Sequence, residues 1–523
     1  MNRFLTRAIA ALSLTLPLNA AMPTAQAIAQ PIPWQFDEQT LQPTFPVNRE
    51  QRSLYLGCFI QQAQLDADGR LPAYRRSEVV FELLYLAVGF QQQGQPTQAK
   101  QALDQAASLL LTEDLYWSEI LILEKIAGEY IQQGFLEEGR SRLEQTLIAA
   151  RQPNVVESTV TEGLFARIAG HYRLSDRLEQ SRAVLAEARQ IAQREGYRFS
   201  SEGLGLMAVE YIKLGDYDSA DAMVADARQT LPDTLTGFHR WLTVQPMIRQ
   251  YINVGADDRA QRLIAQEPRA EQLQLLQVMA EQYASIGQAE PGLAALDQAV
   301  AIAKTTSYED MQYAMLDPHR LWLELVEQYI QLGQPERALH AIAGVEQWSD
   351  PRTPEYLKLY ITAAMGRTDA TFETLESSIN EYGNWRDIEV VWDMTLSRII
   401  KLYTERNQLD HLERLYALAP FQKGATDIFP WQHPTRFELA LTLGHSYLTT
   451  GQTAAAQSIF ASVLEDLSNP EVRSTLNYEL MIRDLLAWQI KYGQYEAAVQ
   501  LVEQFPSELN GDYWRPRLAC AMQ

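Results

Sequence analysis

The chain has 523 residues, of which 46% are hydrophobic, and its 66 acidic and 44 basic residues give a formal net charge of −22. A hydrophobic fraction of this size can bury a large core, and two cysteines exclude a disulfide-rich scaffold. The acidic balance argues against binding to nucleic acid or to anionic membrane surfaces, which both require basic patches. Negative charge spread over the surface also keeps a long protein soluble, and the alternative is attraction to a basic partner or to metal ions.

The first 27 residues have the pattern of an export signal. Arg3 and Arg7 precede an apolar run, residues 8–18, and Ala25-Gln26-Ala27 is a small-x-small cleavage site. A membrane anchor is the alternative, but the run contains polar residues and is too short to span a bilayer. We therefore predict cleavage, a location in the periplasm or an equivalent extracytoplasmic lumen, or secretion, and no membrane segment in the mature chain.

Residues 28–50 contain four prolines, which prevent a continuous helix and predict an extended leader. The loop that follows at Asp66–Gly69 has two acids before a glycine, as a calcium loop does. In that register, however, the first ligand position is Gln64 and the twelfth is Arg75, so two required carboxylates are missing. We interpret this loop as an ordinary turn and predict no metal site or cofactor.

One pattern then repeats along the chain: an aromatic residue, a glycine or turn-former four residues later, and a small residue nine after the aromatic. Weaker copies turn around Gly366, Asn407 and Gly493, and the mean spacing of about 40 residues is typical of a helical repeat array. The clear copies are Phe90, Gly94, Ala99; Tyr130, Gly134, Gly139; Tyr172, Asp176, Ser181; Tyr211, Gly215, Ala220; Tyr251, Gly255, Ala260; Tyr283, Gly287, Gly292; Tyr329, Gly333, Ala338; and Tyr447, Gly451, Ala456.

The unit around Tyr211 shows why each element is needed. Ala208 lies on the same helical face as Tyr211 and allows a neighbouring helix to approach. Gly215 tolerates the positive φ of a helix end, Asp216 is placed to cap the next helix, and Ala220 begins that helix's inward stripe. The pattern therefore predicts a tight helical hairpin in each unit.

These residues resemble the tetratricopeptide repeat family, whose units carry a Leu-Gly/Ala pair, a Tyr three residues on and an Ala nine after it. The match covers roughly residues 80–505. The period is longer than is usual in the family and its early Trp is mostly missing, so neighbouring α-solenoid families remain possible. The resemblance implies an all-α, right-handed solenoid of about eleven hairpins, which we predict as one array over residues 51–523 with terminal capping helices.

Two short motifs have superficial catalytic interpretations. Residues 203–208 fit a dinucleotide fingerprint, but the repeat places them at the start of a helix and not in a strand-to-helix turn. Residues 444–448 resemble a nucleophile elbow but lack its final glycine and also lie in a predicted helix. We predict that the protein is not an enzyme.

In tetratricopeptide arrays the first helix of each unit lines a concave groove. When the family's groove positions are applied to this sequence, polar groups alternate with aliphatic ones, which suits an extended peptide or a partner helix. The resemblance implies an exported scaffold that binds a protein or peptide and helps to assemble or localise a complex. The alternatives are a structural spacer of the envelope and an accessory subunit of an enzyme complex. The candidate partner-binding residues are Lys213, Gln245, Arg249, Asn253, Gln277, Glu281, Glu327 and Gln331.

Overall fold

The computed structural model describes residues 36–37, 42–43, 73–92, 94–110, 117–152, 161–192, 201–230, 236–307, 318–343, 345, 353–382, 391–418, 434–468, 478–491, 494–509, 511, 514–515, 518–519 and 522. The predicted signal, most of the leader, the loop at Asp66–Gly69 and the turn at Gly493 lie outside the described residues. Within the leader, the two-residue strands β1 (Phe36–Asp37) and β2 (Gln42–Pro43) pair antiparallel.

The described helices alternate in pairs, and each pair forms a helical hairpin, numbered 1 to 11 along the chain. The first helices are α1 (Ala73–Gln92), α3 (Trp117–Gln132), α5 (Thr161–Leu174), α7 (Ser201–Lys213), α9 (Thr236–Asn253), α11 (Arg269–Ser285), α13 (Pro318–Gln331), α15 (Thr353–Ala364), α17 (Val391–Glu405), α19 (Pro434–Thr449) and α21 (Tyr478–Lys491). The second helices are α2 (Pro96–Leu109), α4 (Leu136–Ala150), α6 (Leu178–Ala192), α8 (Tyr217–Thr230), α10 (Asp257–Ala265), α12 (Ala289–Ala303), α14 (Pro335–Ile342), α16 (Thr368–Tyr382), α18 (Leu409–Tyr416), α20 (Thr453–Leu467) and α22 (Tyr495–Gln504).

The chain divides into two compact units. One comprises residues 64–460, and the other combines residues 1–63 with residues 461–523. The all-α fold and the tetratricopeptide-like hairpin architecture predicted from the sequence are confirmed. The predicted boundaries of the signal, the leader and a single array stay predictions.

The predicted turn residues of hairpins 1 to 10 adopt left-handed backbone at the ends of the first helices. The amide that follows the turn residue donates to the carbonyl of the repeat aromatic, as in Asp216 N to Tyr211 O at 2.9 Å and Gln334 N to Tyr329 O at 2.8 Å. This is the Schellman motif, which fixes the four-residue interval between the aromatic and the glycine. The residues with positive φ are Gly94, Gly134, Asp176, Gly215, Gly255, Gly287, Gly333, Gly366, Asn407 and Gly451.

The repeated aromatic and small residues pack in the core as predicted. Tyr130 and Tyr251 are fully buried, and a Cβ added at Gly139 would lie 2.5 Å from Ile131 Cγ1, so a larger residue there would displace Ile131. The predicted cap of α8 is also present, since the Ser219 amide donates to Asp216 Oδ1 at 3.1 Å. The small residues nine positions after the aromatics that are 0% exposed are Ala99, Ser181, Ala220, Ala260, Ala338 and Ala456.

Buried apolar side chains between Ile120 and Leu443 form one continuous cluster, because stacked hairpins share their apolar faces. Among the described residues, no helix combines the length and the apolarity that a membrane crossing requires.

Candidate partner-binding surface

Charge is distributed unequally between the two kinds of helix. In the unit of residues 64–460, the first helices α1 to α19 carry 16 acidic and 14 basic residues, whereas the second helices α2 to α18 carry 20 acidic and 10 basic residues. The negative charge is therefore not evenly spread. The surface formed by the first helices, which we call the first-helix face, is close to neutral.

A buried carboxylate joins the first helices of hairpins 2 and 3. Arg167 Nε donates to Glu124 Oε2 at 2.9 Å, and His171 Nε2 lies 2.7 Å from Glu124 Oε1. Burial alone would raise the pKa of Glu124, but the charge of Arg167 and the hydrogen bond from His171 lower it to about 2. Gly128 in α3 makes room for the imidazole, since an added Cβ would lie 2.3 Å from His171 Cε1.

The same arrangement recurs between hairpins 3 and 4. Arg173 Nε donates to Glu210 Oε2 at 2.9 Å, and Lys213 Nζ lies 2.7 Å from Glu210 Oε1. Burial opposes ionisation of Glu210, but the two cations outweigh it and lower the pKa of this carboxyl. Gly170 again accommodates the acid, because its added Cβ would be 3.1 Å from the Glu210 carboxyl carbon. Lys213, a predicted partner-binding residue, is thus held by its own helix.

Hairpins 5, 6 and 7 are connected by a chain of polar contacts. Arg249 Nη2 donates to Glu281 Oε2 at 2.6 Å, and Gln328 Nε2 donates to Glu281 Oε1 at 3.1 Å. The predicted residues Arg249 and Glu281 therefore bind each other. Gln277 is buried, and its Nε2 has no hydrogen-bond partner among the described residues.

Hairpins 7 and 9 touch across hairpin 8. Arg398 Nε of α17 donates to Glu327 Oε2 of α13 at 2.8 Å, and Lys401 Nζ lies 3.7 Å from Glu327 Oε1. A repeat unit normally contacts only its neighbours. The intervening α15 has 12 residues, the fewest of the first helices. The first-helix face is therefore locally concave here. Tyr360 of α15 is buried beside this contact. The pKa of its hydroxyl is raised, chiefly by burial and then by the negative charge of Glu327.

The remaining predicted residues lie at the margins of these contacts. Gln331 Nε2 donates to Glu327 Oε1 at 3.3 Å, and Asn253 Oδ1 accepts from Gln282 Nε2 at 2.6 Å. Gln245 is half-buried in α9. The structure thus places all eight predicted residues on first helices. Four of them contact a neighbouring first helix, namely Arg249, Asn253, Gln277 and Glu281.

Sequence reasoning missed the position immediately before the repeat aromatic. His171, Glu210 and Gln328 occupy it, and each binds a polar group of a neighbouring first helix or its own. A polar residue recurs there through the repeats, and this signal could have identified the position. Its occupants are Glu129, His171, Glu210, Gln250, Gln282, Gln328 and Ser446.

The two motifs with catalytic interpretations lie inside helices. Gly205 of α7 packs against α9, where an added Cβ would be 2.9 Å from Leu242 O. Pro246 lacks the N–H that would otherwise bind that carbonyl, so the glycine lets the two helices meet at this point. Ser446 Oγ donates to Thr442 O of α19 at 3.0 Å. Among the described residues, no three metal-ligating side chains are grouped as a metal site would require.

No protein-family model matches the chain, and no curated protein sequence matches it. Among solved structures it is similar to the pentatricopeptide repeat protein PPR10 from maize, with 12% identity and a TM-score of 0.24. The match covers 85% of this chain and 65% of the maize protein, which is just under two thirds of that protein's length. It is also similar to a human IFIT1 dimer with PPP-AAAA, with 15% identity and a TM-score of 0.23 over 81% of this chain and 95% of that chain. A circular tandem repeat protein with novel repeat topology matches at 13% identity and a TM-score of 0.18 over 91% and 96% of the two chains.

Proposed function

We propose that this protein is a non-enzymatic scaffold that binds a protein or peptide partner on its first-helix face and thereby assembles or localises a complex. The observation that carries the proposal is the contact between Glu327 and Arg398, which makes this face locally concave between hairpins 7 and 9. The Arg249, Glu281 and Gln328 chain continues the same polar surface across hairpins 5 to 7.

Two physical features favour such binding. Side chains already held by hydrogen bonds lose little further freedom when a partner docks, which lowers the entropy cost of association. The positions of their charges also discriminate between partners. Because the first-helix face is near neutral and the second helices are acidic, we propose a protein or peptide and not nucleic acid.

We also propose that the protein acts after export, on the pattern of Arg3, Arg7 and residues 25–27. Intact mass measurement of the protein from its native cell should show loss of residues 1–27. A mass that includes them would contradict export with cleavage.

The decisive experiment exchanges the charges of Arg249 and Glu281. In the Arg249→Glu/Glu281→Arg variant the ion pair can still form, so the two helices still attract each other. The positive and negative charges that a partner would contact are, however, exchanged in position. A partner isolated with the mature wild-type protein, identified and purified, should lose about tenfold or more of its affinity for this variant. Isothermal titration calorimetry measures the loss.

The matched control is the exchange Arg151→Glu/Glu187→Arg, which reverses a pair 2.7 Å apart at the second helices. It should leave partner binding within about twofold of wild type. Equal losses in both variants would contradict binding at the first-helix face. Absence of any stable partner would instead identify a spacer, and turnover dependent on Ser446 would contradict the non-enzymatic role.

A further inference from the structure

A row of exposed apolar side chains follows the turns of neighbouring hairpins. Isolated exposed apolar residues are ordinary, but a concentration of them marks an interaction surface. Five of the eight large apolar side chains that are exposed among the described residues lie within two positions of a turn residue. We call this surface the turn edge, and its members are Leu136, Leu174, Leu178, Val254 and Ile286, each at least 36% exposed.

Hydrogen bonds between hairpins show that these turns lie side by side. Arg140 of hairpin 2 donates to the Ser175 carbonyl in the turn of hairpin 3 at 2.6 Å. At the turns of hairpins 5 and 6, Gln282 and Asn253 are joined at 2.6 Å. At hairpin 4, partly buried Tyr217 continues the apolar row.

Acidic residues surround this row. Within three positions of the turn residues of hairpins 2 to 6 there are eight acidic and three basic residues, a net charge of −5. Two of the three bases, Arg173 and Lys213, are already bound to Glu210. Three of the eight acids are also paired, with arginines of the second helices, which leaves five acids and one base: the paired acids are Glu137, Glu179 and Asp218. Acids in the first turn of a second helix stabilise that helix through its dipole. They also make the turn edge attract cationic and repel anionic groups.

The spacing of the turns indicates the form of a partner. Packed helices lie 8–10 Å apart, so successive turns advance by about 10 Å. Seven residues of α-helix, at 1.5 Å each, span about the same distance. A helix lying along the turn edge would therefore place the apolar a and d residues of one heptad against each turn. Lysine or arginine on either side would face the acids. A second copy of this acidic chain does not meet that requirement.

We propose that the turn edge docks a basic amphipathic helix of a partner protein. This surface adjoins the first-helix face but does not coincide with it. Leu174 ends a first helix, whereas Val254 and Ile286 lie in turns, and Leu136 and Leu178 begin second helices.

The test uses a dye-labelled synthetic helix with leucine at the a and d positions of each heptad and lysine elsewhere. Its binding to the mature protein is followed by fluorescence anisotropy at physiological ionic strength. The variants Leu174→Ser/Leu178→Ser and Val254→Ser/Ile286→Ser change exposed side chains, and circular dichroism confirms that each remains folded. Each should lower the affinity by about tenfold or more.

Ile148 provides a matched control, because it is 65% exposed on α4 but lies away from the turns. Ile148→Ser should change the affinity by less than about twofold. The Arg249→Glu/Glu281→Arg variant should bind the helix as wild type does, which separates this surface from the proposed function.

Three results would overturn the proposal. One is an equal loss of affinity in Ile148→Ser, and another is equal binding of a scrambled peptide of the same composition, which would indicate attraction by net charge alone. The third is a wild-type dimer in sedimentation that the Leu174→Ser/Leu178→Ser variant abolishes, since a second copy would then occupy the turn edge.

Discussion

Glu327 and Arg398 are 71 residues apart in the chain, yet Arg398 Nε lies 2.8 Å from Glu327 Oε2. Both side chains are 17% exposed, so water screens their attraction only in part. The contact connects two hairpins that are not neighbours in sequence.

Breaking this pair should destabilise hairpins 7 and 9 together. Glu327→Gln and Arg398→Met should each cost about 2–3 kcal/mol, because each removes one charge of a mostly buried ion pair. The double variant should cost less than the sum of the two. Urea unfolding with hydrogen exchange in α13 and α17 measures both effects. Glu179→Gln at the exposed pair with Arg182 should cost under about 0.5 kcal/mol, and a comparable cost there would contradict the prediction.

Glu124 should contribute stability that acid removes. Its pKa is lowered from 4.5 to about 2 in the folded protein, so the contribution is complete above pH 4.5 and is lost as the pH falls towards 2. The shift corresponds to on the order of 3 kcal/mol. The wild-type advantage over Glu124→Gln in urea unfolding should therefore shrink between pH 5 and pH 3, by about 1–2 kcal/mol. Glu137→Gln, at an 83% exposed acid, should show no such change.

Gly128→Ala should destabilise the contact between α3 and α5. The added Cβ would lie 2.3 Å from His171 Cε1, an overlap that costs about 1–3 kcal/mol. Adding His171→Ala should recover part of that loss in thermal unfolding, because it removes the ring. Gly163→Ala is the matched helical control. Its nearest neighbours are 3.6 Å away, so it should stabilise by up to about 1 kcal/mol. Failure of His171→Ala to rescue Gly128→Ala would place the clash elsewhere.

Tyr329→Phe should remove a bond between hairpins without leaving a large cavity. The hydroxyl donates to Asp297 Oδ1 of α12 at 2.6 Å, and burial, then this bond, raises its pKa. Loss of a hydrogen bond to a charged acceptor costs about 1.5–3 kcal/mol. Tyr172→Phe, whose hydroxyl has no hydrogen-bond partner among the described residues, should cost under about 1 kcal/mol. Chemical denaturation measures the free energy of unfolding of both variants. Equal losses would contradict a stabilising role for the hydrogen bond to Asp297.

The sequence predicted the turn residues of the described hairpins because the turn is local. The aromatic at the end of the first helix and the glycine four residues later are set by one Schellman hydrogen bond, such as Gln334 N to Tyr329 O. Asp176 and Asn407 adopt positive φ at positions where the spacing, and not the presence of glycine, identified the turn.

The contacts among the candidate residues could not be predicted in the same way. Whether Arg249 meets Glu281 depends on the rotation between adjacent hairpins, which a repeat pattern leaves open. The contact of Glu327 with Arg398 further depends on the length of α15, which was not predicted. Gln277 was placed in the groove by family position, yet it is buried, because it lies under Gln328 of the next first helix, whose Nε2 donates to Gln277 O at 3.4 Å.

Helical repeat arrays are usually described as one-dimensional chains in which each unit interacts only with the next. The bridge between α13 and α17 adds a second-neighbour interaction at hairpin 8. Removing or duplicating that hairpin would thus change more than the length of the array, because the two ends of the bridge would no longer face each other. Shuffled or truncated versions of this protein should therefore stay folded only when hairpins 7, 8 and 9 are kept together and in this order.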